Sequence, residues 1–249
     1  MSVSAGYAYS AADLADAARL VSFGCQPRLR PLGVPQYRDL LQRYRRDGAF
    51  RDAVDAMAEG LETDLVGAHE QEGLVLHPRQ GSWLSYQLKD HPKLGVQERL
   101  VLGLVHVAIA ARAYPYPADL EEESVKRVSL VEIDDFLRGL TERLRRAAVD
   151  DEGLAVAHAE LDAAWRIYSK LSPGRPTASG RLARSSTQGV IREALEWLVS
   201  QGMAMRAPDL GPGHYRLTHR FRLQVRENAS AAAFSVLCDI RRAHFAEEA

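Results

Sequence analysis

The stretch that most constrains the fold is "SSTQGVIREALEWLVSQGMAMRAPDLGPGHYRLT", residues 185–218. Val190, Ile191, Ala194, Leu195, Leu198 and Val199 recur at helical spacing and form one apolar face. Gly202 closes the helix, because glycine accepts the left-handed conformation that ends a last turn. "MAMRA" then reads as a strand, "PDLGPG" as a tip of turn formers, and "HYRLT" as the returning strand. A helix running straight into a β-hairpin is the second half of a winged helix-turn-helix.

Earlier segments repeat that order. A short helix is predicted over 11–23, with Leu14, Ala17 and Val21 on one side. Pro27, Pro31 and Pro35 break it in 24–35, and another short helix covers 36–46. A longer helix from about 49 carries the stripe Phe50, Val54, Met57, Leu61 and Leu65. Residues 73–88, two apolar runs around a Pro/Gly turn, are predicted to be a hairpin. Residues 96–113 are apolar on all sides, which marks a buried helix.

"AYPYPADLEEE" reads as a linker, and "SLVE" (129–132) as a capping box. The box opens a helix with the stripe Ile133, Phe136, Leu137, Leu140 and Leu144. Leu161, Trp165 and Tyr168 mark a helix over 154–171, and a last helix over 229–246 carries Phe234, Leu237, Cys238 and Arg241. The expected fold is mainly α with small β-hairpins (α+β), as tandem winged helix-turn-helix domains. The first covers 1–113 including the buried helix, 114–128 is the linker, and 129–249 is the second.

Composition narrows the function. The 249 residues are 46% hydrophobic and 26% charged, with net charge −1 and pI about 6.7. A dedicated nucleic-acid binder is usually basic, so any DNA contact has to come from a local patch. Cys25 and Cys238 have no metal or redox spacing and read as reduced thiols. The start "MSVSAGYAYSAADLADA" lacks the pattern of a secretion signal. The apolar run 100–111 falls short of the roughly 20 residues of a membrane span. A cytoplasmic protein with no membrane contact is expected.

The residue types that carry catalysis do not assemble into a pattern. "GRPTASGR" (174–181) lacks the Lys-Ser/Thr ending of a phosphate loop and follows no apolar strand. His69, His77 and His106 are scattered, with no spacing suited to zinc. The expectation is a protein without enzymatic activity, cofactor or metal.

Charge separates the two halves. The outward side of the helix from 49 is read as acidic, with Asp52, Asp55, Glu59, Glu62 and Asp64. Duplex phosphates repel such a face, so Asp55, Glu59 and Glu62 are candidate partner-binding residues rather than DNA readers. Between 166 and 226, eleven basic residues stand against three acidic ones. Arg175, Arg181, Arg184, Arg192, Arg216, Arg220 and Arg222 are the candidate DNA-binding residues. The helix before the second hairpin also carries Glu193 and Glu196, leaving Gln188 and Arg192 to read bases, and Arg192 is placed to pair with Glu196. That favours weak backbone contact over sequence readout.

The segments "ERLVLGLVHVAIAARAYPYP", "SLVEIDDFLRGL", "TQGVIREALEWLVSQGMA" and "HYRLTHRF" lie within this layout of an acidic first unit and a basic second one. Over roughly 10–245 the chain resembles the kleisin-interacting tandem winged-helix elements (KITE), small subunits of condensin-like SMC complexes of the Wadjet (MksBEF) type. The resemblance implies a non-enzymatic subunit that dimerises, binds the kleisin closing the SMC-like ATPase ring, and helps hold duplex DNA in anti-plasmid defence. The Pro-rich segment 27–35 departs from that pattern. The alternative is a free-standing winged-helix transcription regulator, against which Glu193, Glu196 and the acidic first unit count.

Overall fold

The computed structural model describes residues 9–85, 94–149, 159–174, 183, 185–228, 234, 237 and 238. The chain is mainly helical with small antiparallel sheets, and it divides into two compact units, Met1–Tyr86 and Gln87–Ala249.

In the first unit, α1 (Ala11–Gly24) begins at a capping box: the Ser10 hydroxyl accepts from the Asp13 amide, and the Asp13 carboxylate takes the Ser10 amide. Ser10 and the Arg43 guanidinium together hold the Asp13 carboxyl down at about 2. Pro35 opens α2 (Pro35–Arg46) at its first position, where a missing N–H costs nothing. The Asp47 carboxylate caps α3 (Gly48–Gly60) by accepting from the Phe50 amide at 3.1 Å. Strands β1 (Thr63–His69) and β2 (Gly73–Pro78) form an antiparallel hairpin, with Thr63 opposite Pro78 and His69 opposite Gly73. Leu20, Tyr37, Phe50, Val54 and Leu74 form the center of this core.

Three expectations are corrected here. The helix from 49 stops at Gly60 and does not run on to Leu65, so Leu65 belongs to β1. Glu62 takes a left-handed turn (φ 56°), and the Thr63 hydroxyl donates to the Ala58 carbonyl at 2.9 Å, fastening the new strand to the helix end. The hairpin therefore pairs 73–78 with the segment before it. Residues 86–88 of the expected hairpin lie outside the described residues. Leu14, placed on the buried side, is 42% exposed, while Ala17 and Val21 are buried.

The second unit is built around α4 (Val96–Ala113), against which α6 (Leu130–Val149), α7 (Ala159–Tyr168) and α8 (Thr187–Ser200) pack. Val105, Ala108, Ile109 and Ala111 on α4 have no exposed surface. This helix was expected to close the first domain, but its side chains fill the core of the second unit. Its many apolar sides are covered by three helices of the same chain. The Ser129/Glu132 box caps α6, and all five residues of its expected stripe are buried.

The expected linker is partly ordered into α5 (Pro117–Glu121) and β3 (Arg127–Ser129). β3 joins β4 (Ala204–Arg206) and β5 (His214–Leu217) in a three-stranded antiparallel sheet of order β3-β5-β4. The turn between β4 and β5 holds Gly211 and Gly213 at φ 111° and 77°. Beyond it α9 (His219–Asn228) begins ten residues before the expected last helix. Leu237 and Cys238 are buried, while Arg241 lies outside the described residues. Among the described residues no helix is long and apolar enough to cross a membrane.

Candidate nucleic-acid interface and docking faces

α8 leads directly into β4 and is the helix that the sequence makes the candidate DNA reader. Ser186 caps it by accepting from the Gly189 amide, and Ile191, Ala194, Leu195 and Leu198 seat it in the core. Glu196, on its outward side, is tied to the sheet. Arg206 of β4 donates two hydrogen bonds to it, through Nε at 2.9 Å and through Nη2, and the Tyr215 hydroxyl donates a third at 2.9 Å. Arg206, then Tyr215 and Arg192, pull this carboxyl below its ordinary range, and burial with the adjoining carboxylate pushes the Tyr215 phenol up to about 12. Arg192, expected to pair with Glu196, adds charge attraction to a carboxylate already clamped by Arg206.

The arginines of the second unit are mostly committed to partners. In the wing, Arg216 grips Asp209 with Nη1 at 2.8 Å and with Nη2. Arg220 and Arg222 were expected on the surface after the wing; each is only 5% exposed. The physical reason is that the Thr218 hydroxyl accepts from the Phe221 amide, starting α9 and turning its first residues inward. Arg222 donates to the Leu120 carbonyl at the end of α5 and, at 2.9 Å, to the His219 ring. These two side chains are structural and do not offer charge to a phosphate. Arg166 pairs with Asp162 and Arg226 with Glu227, carboxylates just outside the stretch in which the basic excess was counted. Arg175, Arg181 and Arg184 lie outside the described residues. Of the seven candidates, Arg192 remains half-buried on α8.

Deeper in the unit, Asp134 of α6 is 4% exposed and accepts from the Tyr168 hydroxyl of α7 at 2.8 Å. Arg138 pairs with the same carboxylate at 3.1 Å and donates to the Thr187 hydroxyl at 3.2 Å. Burial and the Asp134 charge drive the Tyr168 phenol strongly upward. This network joins three helices, and periodicity gave no sign of it. His106 lies 5.0 Å from the Trp197 ring, and burial holds its imidazole down at about 4, so it sits neutral in the packing between α4 and α8.

In the first unit, the acidic candidates separate. Asp52, Asp55 and Glu59 are exposed on α3, whereas Glu62 lies in the turn after it and Asp64 pairs with Arg79 from β1. Asp55 accepts from the Tyr44 hydroxyl at 3.1 Å, and burial with that charge raises the phenol to about 12. Among the described residues no group of three or more His, Cys, Asp or Glu could hold a metal ion. Both cysteines are free thiols, Cys25 exposed and Cys238 buried. No model of a known protein family matches the chain, and no curated protein matches it either.

Proposed function

We propose that the chain is a non-catalytic, tandem winged-helix subunit of the KITE kind. It docks the kleisin of a condensin-like complex with an SMC-like ATPase, acts in plasmid defence, and meets DNA only weakly. The observation that carries this reading is the second unit's order of elements, with a three-stranded sheet of order β3-β5-β4 beside α8. In a winged helix the strand before the reading helix likewise pairs with the last strand, whose other neighbour is the strand leaving that helix. The first unit supports it with three helices followed directly by a hairpin.

The charge arrangement favours docking over reading. Arg206 and Arg216 are spent on Glu196 and Asp209, Arg220 and Arg222 are buried, and α3 exposes carboxylates. A regulator needs several basic or amide side chains directed at base edges, and on α8 those residue types are Gln188 and Arg192, beside Glu193 and Glu196.

Duplex binding should therefore be weak and indifferent to sequence, with Kd no tighter than about 10⁻⁴ to 10⁻⁶ M at physiological salt. Contacts through Arg175, Arg181, Arg184 and Arg192 would limit the fall of log K to about 3.6 per decade of salt, at roughly 0.9 per contact. Changing Arg181 and Arg184 together to Glu should weaken all duplexes alike and flatten that slope. Fluorescence-anisotropy titrations on random and selected duplexes test this. A nanomolar site with strong base discrimination would replace the reading with that of a transcription regulator.

A further inference from the structure

α1 and α3 pack side by side, and both expose uncharged surface beside their contact. On α1, Ala15, Ala18, Ser22 and Cys25 share one exposed side at helical spacing. On α3, Ala56 and Gly60 are exposed, and Met57 is half-buried. An apolar groove of 320 Å³ runs between the helix ends, from Ala18, Val21 and Cys25 across to Met57, Gly60 and Leu61.

The shape and the charge of this groove point to one kind of occupant. Small side chains on both walls let the backbone of a third helix come close, and the floor is almost wholly apolar. Both helices reach the groove with their C-terminal ends, where the backbone dipole is negative. Asp52 and Glu59 lie on α3 beyond Ala56, and no Lys or Arg lines the groove. Arg19, the cation of α1, is engaged by Asp16 at 3.0 Å.

We propose that the groove between α1 and α3 seats an amphipathic helix of a partner protein, its apolar ridge inside and Lys or Arg residues along the flank facing Asp52 and Glu59. This rests on the reading of the chain as a protein-docking subunit, and it names the site and the chemistry of the docked segment. A second copy of the chain would bring α1 and α3 surfaces without that basic flank.

Gly60→Arg is the test. A side chain there meets nothing within 4 Å, so the fold is kept while the added side chain blocks the groove and repels a basic helix. The probe is a labelled amphipathic helical peptide of Leu and Lys, about 18 residues or five turns, with a twin carrying Glu in place of Lys. The full chain should bind the Lys peptide and not the Glu twin. Gly60→Arg should weaken the Lys peptide at least tenfold. Asp39→Lys, a larger charge change at an exposed position of α2 that does not line the groove, should leave it within about twofold.

Equal binding by Gly60→Arg and the unaltered chain would overturn the proposal. So would a matching loss in Asp39→Lys, or equal binding of the Glu twin. A dimer of the free chain that Gly60→Arg dissolves would assign the groove to a second copy and overturn it too. Because the probe is a model peptide, the two readings fail separately. Kleisin binding undiminished by Gly60→Arg would sink the groove alone, while peptide binding without any kleisin binding would sink the function alone.

Discussion

Replacing Gly73 with alanine should cost the first unit about 2–5 kcal/mol, the sum of two penalties. Gly73 holds φ +81°, a left-handed conformation that costs an L-residue roughly 1–2 kcal/mol. A Cβ there would lie 1.9 Å from the Tyr37 hydroxyl, and Tyr37 is wholly buried with no room to retreat. Displacing that ring also strips the Leu74 amide of its 2.7 Å hydrogen bond to the hydroxyl, and an orphaned buried donor costs about 1–3 kcal/mol. Tyr37→Phe, which loses the hydrogen bond without the clash, should cost less. Urea denaturation followed by circular dichroism measures both. A loss below about 1 kcal/mol for Gly73→Ala would mean that the hairpin is not seated on Tyr37.

The second large effect lies in the other core. Asp134→Ala should destabilise the second unit by about 3 kcal/mol, the low end for breaking a buried ion pair. The lower figure applies because the Arg138 side chain is 42% exposed and can turn to water once its partner is gone. The Tyr168 hydroxyl, buried between α6 and α7, has no such escape. Tyr168→Phe should cost only about 0.5–1.5 kcal/mol, because it removes the neutral hydroxyl and leaves the Asp134 charge with Arg138. Thermal unfolding of the two single variants and the double variant gives the coupling between them. Additive losses would show that the three-helix network is not a unit.

The sequence was most legible where one physical rule decides the outcome. The stripe from Ile133 to Leu144, the Ser129/Glu132 box and the glycine-rich turn between β4 and β5 follow from periodicity, capping and turn chemistry, and the structure holds each of them. The end of α3 was not legible. Leu61 and Leu65 continue its four-residue spacing by coincidence, and the stop is made by Glu62, a residue without glycine's preference for left-handed backbone.

The candidate site was misread for a related reason. Residue type predicts exposure for arginine, yet Arg220 and Arg222 are buried, because α9 turns them inward and gives Arg222 a backbone carbonyl and a histidine ring. Arg206 reaches Glu196 ten residues back, across the turn between α8 and β4, and Arg216 reaches Asp209 across the wing. Such pairs lie beyond the i, i+4 spacing that a linear reading can see. Periodicity likewise marked α4 as buried without saying which unit buries it.

The proposed function is that this chain works by holding a kleisin. Isothermal titration of the full chain with the kleisin of the same complex tests it most directly. The account predicts a saturable, stoichiometric complex with Kd of about 1 µM or tighter, equivalent to roughly −8 kcal/mol. It also predicts that binding is weakened when Asp55, Glu59 and Glu62 are reversed to Lys. Asp55 also accepts from the Tyr44 hydroxyl, so the Glu59 and Glu62 reversals, exposed changes that shift stability by only about 0.5 kcal/mol each, are the ones whose loss reports on docking rather than folding. A kleisin that gives no heat and no complex at tens of micromolar, with the chain folded, would contradict the account.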